Sequence, residues 1–436
     1  MPNLEMMYGR QLLRSDLQRY HCEALISQLQ TRPAVIAQCC QRCGYDLHQY
    51  YLPNHDNYCP HCIMLGRITS SQQLYYLSEP NHFKKQTNYL QWSGTLTTQQ
   101  AAVSQQIVTT ILQQQTRLLW AVTGAGKTEI LFNGITTALQ QGKRVCIASP
   151  RVDVCLELYP RLQQAFNVDL CLLHGKQPQY QYTQLVLCTV HQLWRFYQAF
   201  DVIIVDEVDA FPLVDDAALW FAIQQARKLQ SACIYLTATP SPQLQQQINH
   251  KQLAVSYLPI RYHRYPLPVP QVKIIPKLSS YLRHHYLPFY WRHYLLNKVN
   301  LQRQLLIFVP YVALLKDVQQ WWQRYFPQQK ITTVYAEDKQ RIMKVAQFRH
   351  GQCDTLITTT ILERGVTFSK IDVLVINADA TTFTTTSLVQ IAGRVGRFAD
   401  DQNGQVIFLS SAYTRNIKHA CQQIKHMNLL ARRLRS

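Results

Sequence analysis

From residue 96 onward the chain alternates between two hydrophobic rhythms. Short continuous apolar runs, RLLWAV at 117–122, RVCIASP at 144–150, LVLCTV at 185–190, DVIIVDE at 201–207 and ACIYLTAT at 232–239, are separated by stretches whose apolar residues recur at helical spacing. Runs that are apolar on both sides and rich in β-branched residues predict strands of a parallel sheet covered by helices on both faces. The rhythm breaks at YLPIRYHRYPLPVP (257–270) and IIPKL (274–278), where repeated prolines disfavour regular elements. It resumes with QLLIFVP, ITTVYAE, DTLITTT, VLVINAD and GQVIFLS, which predict a second sheet of the same kind. The pattern implies an N-terminal segment 1–38, a cysteine module 39–66, a connecting segment 67–95, a first domain 96–250, a linker 251–275 and a second domain 276–436. The fold class is α/β, with two doubly wound parallel-sheet domains in tandem.

AVTGAGKT (121–128) follows the first of these strands and opens onto a helical stretch. A full phosphate-binding loop begins with Gly, and here Ala121 holds that place. Gly124, Ala125 and Gly126 form the turn, whose backbone N–H groups would face phosphate oxygens. Lys127 would reach the β and γ phosphates and Thr128 would ligate Mg²⁺, with the helix N-terminus adding partial positive charge. A nucleotide site of this kind needs carboxylates at the end of another strand, and VIIVDEVDA supplies them. Asp206 would hold the Mg²⁺ shell, and Glu207 would orient and deprotonate the attacking water.

The charge balance adds a partner. The chain has 44 Lys and Arg against 25 Asp and Glu, a formal net charge of +19, which favours a polyanion and nucleic acid first. The opening MPNLEMMYGRQLL lacks the basic cluster and apolar core of a secretory signal, and no run approaches the about 20 apolar residues of a membrane span. A cytoplasmic protein is expected, with any membrane association peripheral. Thirteen Cys, an odd number in a long chain, fit a reducing compartment. Cys40, Cys43, Cys59 and Cys62 have the C-x2-C-x15-C-x2-C spacing of a closed structural Zn²⁺ site, and Gly44 follows the first pair where the chain must bend. Cys39 competes with Cys40 by adjacency, and His61 lies between two ligands.

AVTGAGKT, DEVD, TAT at 237–239 and QIAGRVGR at 390–397 stand in the order of the superfamily 2 DEAD-like helicases and translocases, which the chain resembles over roughly residues 96 to 430. The resemblance implies two RecA-like domains with ATP between them and single-stranded nucleic acid across their top. It assigns Gln390, Arg394 and Arg397 to the ATP site, the arginines as fingers on the γ phosphate. Gln99 or Gln100 falls where an adenine-reading Gln is placed. Thr237 and Thr239 resemble the segment linking hydrolysis to domain movement, although their hydroxyls could equally cap a helix beginning near Ser241. Arg151, Thr189, Thr360 and Arg364 are the candidate contacts to the nucleic-acid strand; Arg364 could serve the ATP cleft instead.

A zinc module ahead of a DEVD motor, followed by RYHRYPLPVP at 261–270, is similar to the late competence ATPases that serve DNA uptake in naturally transformable Gram-positive bacteria. That resemblance implies a DNA-dependent ATPase driving a single strand through a membrane channel, with a phosphoribosyltransferase-like competence partner. Self-association stays open. The alternatives are a primosomal helicase of replication restart, whose cysteines lie between motor motifs, and a DNA-binding ATPase module that does not translocate. YLRHHYLPFYWRHYLL at 281–296 could stack bases, face acidic lipid or pack as a plain amphipathic helix.

Overall fold

The computed structural model describes residues 4–175, 180–286, 288–298, 303–364, 366, 368–398, 401 and 403–434. The chain forms two compact units, Met1–Trp120 with Lys127–Tyr257, and Ala121–Gly126 with Leu258–Ser436.

The first unit is built on a seven-stranded sheet. Its strand order is Leu170–Leu173, Leu185–Thr189, Val145–Ser149, Phe200–Val205, Arg227–Thr237, Thr116–Ala121 and Ala254–Leu258. Every residue of Val145–Ser149 and Leu185–Thr189 is buried, which is why these strands read as continuous apolar runs. Arg227–Thr237 runs parallel to both Phe200–Val205 and Thr116–Ala121, pairing Tyr235 with Val205 and Thr237 with Trp120. The parallel register brings the carboxyl ends of these three strands to one edge, where open α/β sheets bind ligands. The helices Thr98–Leu112, Lys127–Gln140, Val152–Ala165 and Ala217–Ala226 accompany the sheet.

The second unit carries a six-stranded sheet ordered Gln271–Ile274, Val406–Ser410, Ile371–Ile376, Gln304–Phe308, Thr355–Thr358 and Ile331–Val334, parallel at every pair. Trp321 and Trp322 of helix Leu314–Tyr325 are fully buried beside these strands and anchor its core. The proline tract differs from expectation. The strands Ala254–Leu258 and Gln271–Ile274 flank it, one at the edge of each sheet, and Pro259, Pro266, Pro268 and Pro270 lie between them. At an edge, a neighbouring proline deprives no inner ladder of its donor.

The N-terminal residues form a three-stranded antiparallel sheet, Gln11–Leu12, Gln73–Tyr76 and Gln30–Pro33, that closes around the cysteine segment. Cys40 and Cys59 sit on two short antiparallel ribbons, Val35–Ile36 with Cys39–Cys40 and Tyr58–Cys59 with Ile68–Thr69, and Cys43 and Cys62 lie in the turns that follow. Cys40, Cys43, Cys59 and Cys62 share one apolar core with Leu193, Trp194, Leu219 and Ile223 of the first unit. A fully buried ion pair, Arg144 Nη1 to Glu79 Oε2 at 2.6 Å, fastens the connecting segment to the same sheet. Among the described residues, no helix is long and apolar enough to cross a membrane.

Candidate nucleotide, metal and strand sites

Strand Thr116–Ala121 delivers the chain to a turn in which Gly124 (φ +78°) and Gly126 (φ +75°) take left-handed conformations, and helix Lys127–Gln140 begins at the lysine. Those conformations are cheap only for glycine, which explains the residue type. Lys127 and Thr128 line a pocket with Asp206, floored by Leu131, Ile147 and Leu236. A cationic head, a hydroxyl and a carboxylate around one cavity fit a Mg²⁺–triphosphate.

Asp206 directly follows strand Phe200–Val205, and its N–H donates to Ala148 O at 2.8 Å. Burial pushes its carboxyl up to about 6; Lys127 opposes that and Glu207 reinforces it. A bound cation would favour the ionised form. Glu207 holds φ +55°, a left-handed position that costs a non-glycine residue free energy and sharply redirects the chain. Asp206 Oδ1 accepts from the Glu207 N–H at 2.9 Å. The Val208 N–H then straps the turn to Leu236 O at 3.1 Å.

The last acid of DEVD has its own work. Buried Asp209 accepts from Thr237 Oγ1 at 2.7 Å and from Thr239 Oγ1 at 2.5 Å. The two threonine hydroxyls therefore do not cap the helix Pro242–Asn249. Ser241 does, its Oγ accepting from Leu244 N–H. The sequence left both options open, and the structure ties TAT to the acidic turn.

In the second unit, Gln390 is buried on helix Thr385–Ala392, and Arg394 is buried in the turn that follows. Arg394 Nε donates to Glu363 O at 3.1 Å, and half-buried Arg397 donates from Nε to Gly393 O at 3.2 Å. This turn is held by a residue that sequence reasoning missed. Arg261, 2 % exposed, donates to Val395 O at 2.7 Å, to Gly393 O at 3.1 Å and also to Gly396 O. His263 Nε2 is 2.9 Å from Gly396 O. Burial, aided by Arg397 and opposed by Asp401, lowers the Arg261 guanidinium to about 9. In the same unit, Thr123 Oγ1 donates to Gly393 O at 3.3 Å, and a Cβ at Gly393 would meet that hydroxyl at 2.0 Å. Arg261→Gln should therefore loosen the turn, costing about 3 kcal/mol or more for its charge-assisted bonds. Thermal melting checks this; an unchanged midpoint would show the three bonds to be dispensable.

Gln100 is buried in the capping box of helix Thr98–Leu112: its Oε1 accepts from Thr97 N–H at 2.9 Å, while Thr97 Oγ1 accepts from Gln100 N–H at 3.3 Å. Its neighbour Gln99 is half-buried. Thr189 is a strand end paired with Ser149, and Arg151 lies just beyond Ser149, so the structure brings these two strand-contact candidates to one edge. Arg151 is half-buried at the start of helix Val152–Ala165, whereas Thr189 is only 5 % exposed. Half-buried Thr360 opens the turn Thr360–Leu362 after strand Thr355–Thr358. Arg364 is buried, its Nε 3.6 Å from Glu363 Oε1.

The four cysteines are fully buried, and their sulfurs lie within 4.8 Å of one another. Cys40 and Cys62 are 3.8 Å apart and Cys43 and Cys59 are 3.5 Å apart, against about 3.8 Å between ligands on a tetrahedron with Zn–S near 2.3 Å. The donor set fits structural Zn²⁺. Cys39 stays outside, half-buried, and the His61 ring turns away to stack on Tyr45 at 5.1 Å. Gly44 (φ +73°) donates to Cys40 O at 2.8 Å, and a Cβ there would lie 2.7 Å from the Phe221 ring. Buried Arg42 donates to Cys62 O, Leu65 O and Gly66 O, clamping one knuckle onto the other.

The DEAD/DEAH box helicase family matches residues 101–247, and the helicase conserved C-terminal domain matches residues 290–399. Together with the two parallel sheets, they define a helicase-type ATPase. The Streptococcus pneumoniae competence protein ComFA is 41 % identical over 89 % of this chain and 90 % of its own length. The Bacillus subtilis competence protein ComFA is 41 % identical over 90 % and 86 %. The chain belongs to the ComFA family of competence proteins. In fold it is similar to S. cerevisiae Dbp5 solved with RNA and ADP BeF3, with a TM-score of 0.54 at 13 % identity, covering 75 % of this chain and 87 % of that one.

Proposed function

We propose that the protein is a DNA-dependent ATPase that moves single-stranded DNA and drives uptake of transforming DNA in natural competence. The observation carrying this reading is the grouping of Lys127, Thr128 and Asp206 around one pocket, with the adjoining acidic turn tied through Asp209 to Thr237 and Thr239. In this reading Lys127 binds the β and γ phosphates, Thr128 and Asp206 hold Mg²⁺, and Glu207 takes the proton of the attacking water. Bound Mg²⁺ supplies charge neutralisation at the phosphate oxygens. Gln390, Arg394 and Arg397 complete the nucleotide site, and Gln100 or its neighbour lies near the base. The hydroxyl–carboxylate latch would carry displacement of the acidic turn into strand Arg227–Thr237. Arg151, Thr189, Thr360 and Arg364 hold the strand by its backbone without reading sequence. The cysteines hold Zn²⁺ for structure. Cytoplasmic location, peripheral contact with a membrane channel and a phosphoribosyltransferase-like partner complete the reading.

ATP turnover measured with single-stranded DNA, duplex DNA or RNA added in turn tests it. Single-stranded DNA should stimulate most, with stimulation falling steeply as salt rises. Stimulation by RNA alone would replace uptake with RNA remodelling.

A further inference from the structure

From Ala217 to Lys316 the chain has no Asp or Glu and twelve Lys and Arg. Within that tract, helix Leu278–Arg283 and helix Phe289–Lys298 are docked on the second sheet. Leu278, Leu282 and Leu295 are buried in its core, Trp291 and Tyr294 pack against it, and Tyr294 Oη donates to Gln271 Oε1 at 3.2 Å. Three large rings are nevertheless held in solvent: Tyr286 at 53 %, Phe289 at 72 % and Tyr290 at 69 % exposure. Arg283, His284, Arg292 and His293 are exposed with them. The Arg292 guanidinium lies 5.6 Å from the Phe289 ring centre, and the His293 ring is stacked near-parallel with Phe289 at 6.1 Å. Exposed rings grouped in this way mark a contact surface more often than a solvated face.

The placement of charge selects the ligand. A helix lying in a lipid interface segregates apolar and basic residues onto opposite faces. Here Arg292 and His293 stand three and four residues after Phe289, so the Arg292 charge shares the ring's face and would be dragged below the headgroups. An unpaired oligonucleotide wants the opposite arrangement: flat rings for its bases, with cations beside them for its phosphates. A duplex buries its base faces and offers the rings nothing.

We propose that Tyr286, Phe289 and Tyr290, with Arg283, Arg292 and His293, form an accessory single-strand site outside the motor motifs, stacking unpaired bases regardless of sequence. The proposal rests on the single-stranded DNA reading above. Its test is fluorescence anisotropy of labelled oligo(dT) with the full-length protein, comparing Tyr286→Ala/Phe289→Ala/Tyr290→Ala with Tyr286→Phe/Tyr290→Phe. The alanine variant should bind at least about tenfold more weakly. The phenylalanine variant should bind as wild type, and both should keep the wild-type melting temperature. Wild-type protein that ignores oligo(dT) would overturn the functional reading and this site together. Wild-type binding with an unchanged alanine variant would overturn this site alone, as would unchanged oligo(dT) binding with lost sedimentation on phosphatidylglycerol vesicles.

Discussion

Lys127→Ala should lower DNA-stimulated ATP turnover at least about a hundredfold while leaving the melting temperature within a few degrees. The magnitude is that of removing one preorganised charge from a phosphoryl-transfer site, where positioning and charge neutralisation do nearly all of the catalysis. The fold should tolerate the change, because Lys127 is a half-buried first residue of its helix, a position where alanine is compatible. Asp206 gives a second handle. Its carboxyl is already pushed up by burial, and Lys127 is the largest of the influences holding it down, so the variant should also weaken Mg²⁺-nucleotide binding at neutral pH. Phosphate release and nucleotide titration measure the two effects. Undiminished turnover would remove the motor.

The second large effect belongs to the cysteines. Cys43→Ser should leave the protein without stoichiometric zinc and lower the melting midpoint by about 10 °C or more, taking 2–4 °C per kcal/mol for a unit of this size. The effect should reach beyond the module, since the four sulfurs lie in the same apolar core as Trp194 and Ile223. Cys39→Ser is the matched control and should retain its metal, because Cys39 lies outside the cluster. Elemental analysis and calorimetry of the two variants separate the outcomes. A Cys43 variant that keeps both zinc and its melting point would leave the cluster as four buried thiols.

What could be read in the sequence was whatever depends on neighbours along the chain. Buried parallel strands announce themselves as unbroken apolar runs, and the glycine turn, the DEVD acids and the paired cysteines are set by spacing alone. What could not be read depends on residues far apart. Asp209 receives its two hydroxyls from 28 and 30 positions away, so its role is invisible beside the more familiar Asp206 and Glu207. Arg261 finds its carbonyls more than 130 positions on, from a tract whose prolines suggested only a connector. The N-terminal sheet was hidden for a different reason. Its strands are two to four residues long, too short for an alternating pattern to emerge. Gln100 adds a local contact that motif spacing does not announce: its side-chain carbonyl oxygen accepts from the Thr97 N–H at the first turn of its own helix.

The shared core has a consequence for biosynthesis. A chain made from its N-terminus presents Cys40 to Cys62 long before Trp194, Phe221 and Ile223, the surface against which that segment packs, have been polymerised. At 5–20 residues per second the gap is roughly 10–30 s. Through that interval the nascent ribbons have only near neighbours such as Leu13, Ala34, Leu47, Ile68 and Leu74 to pack on, and a captured ion would cross-link them in register. Metallation would thus come early in the life of each molecule, as a template on which the helicase half later condenses.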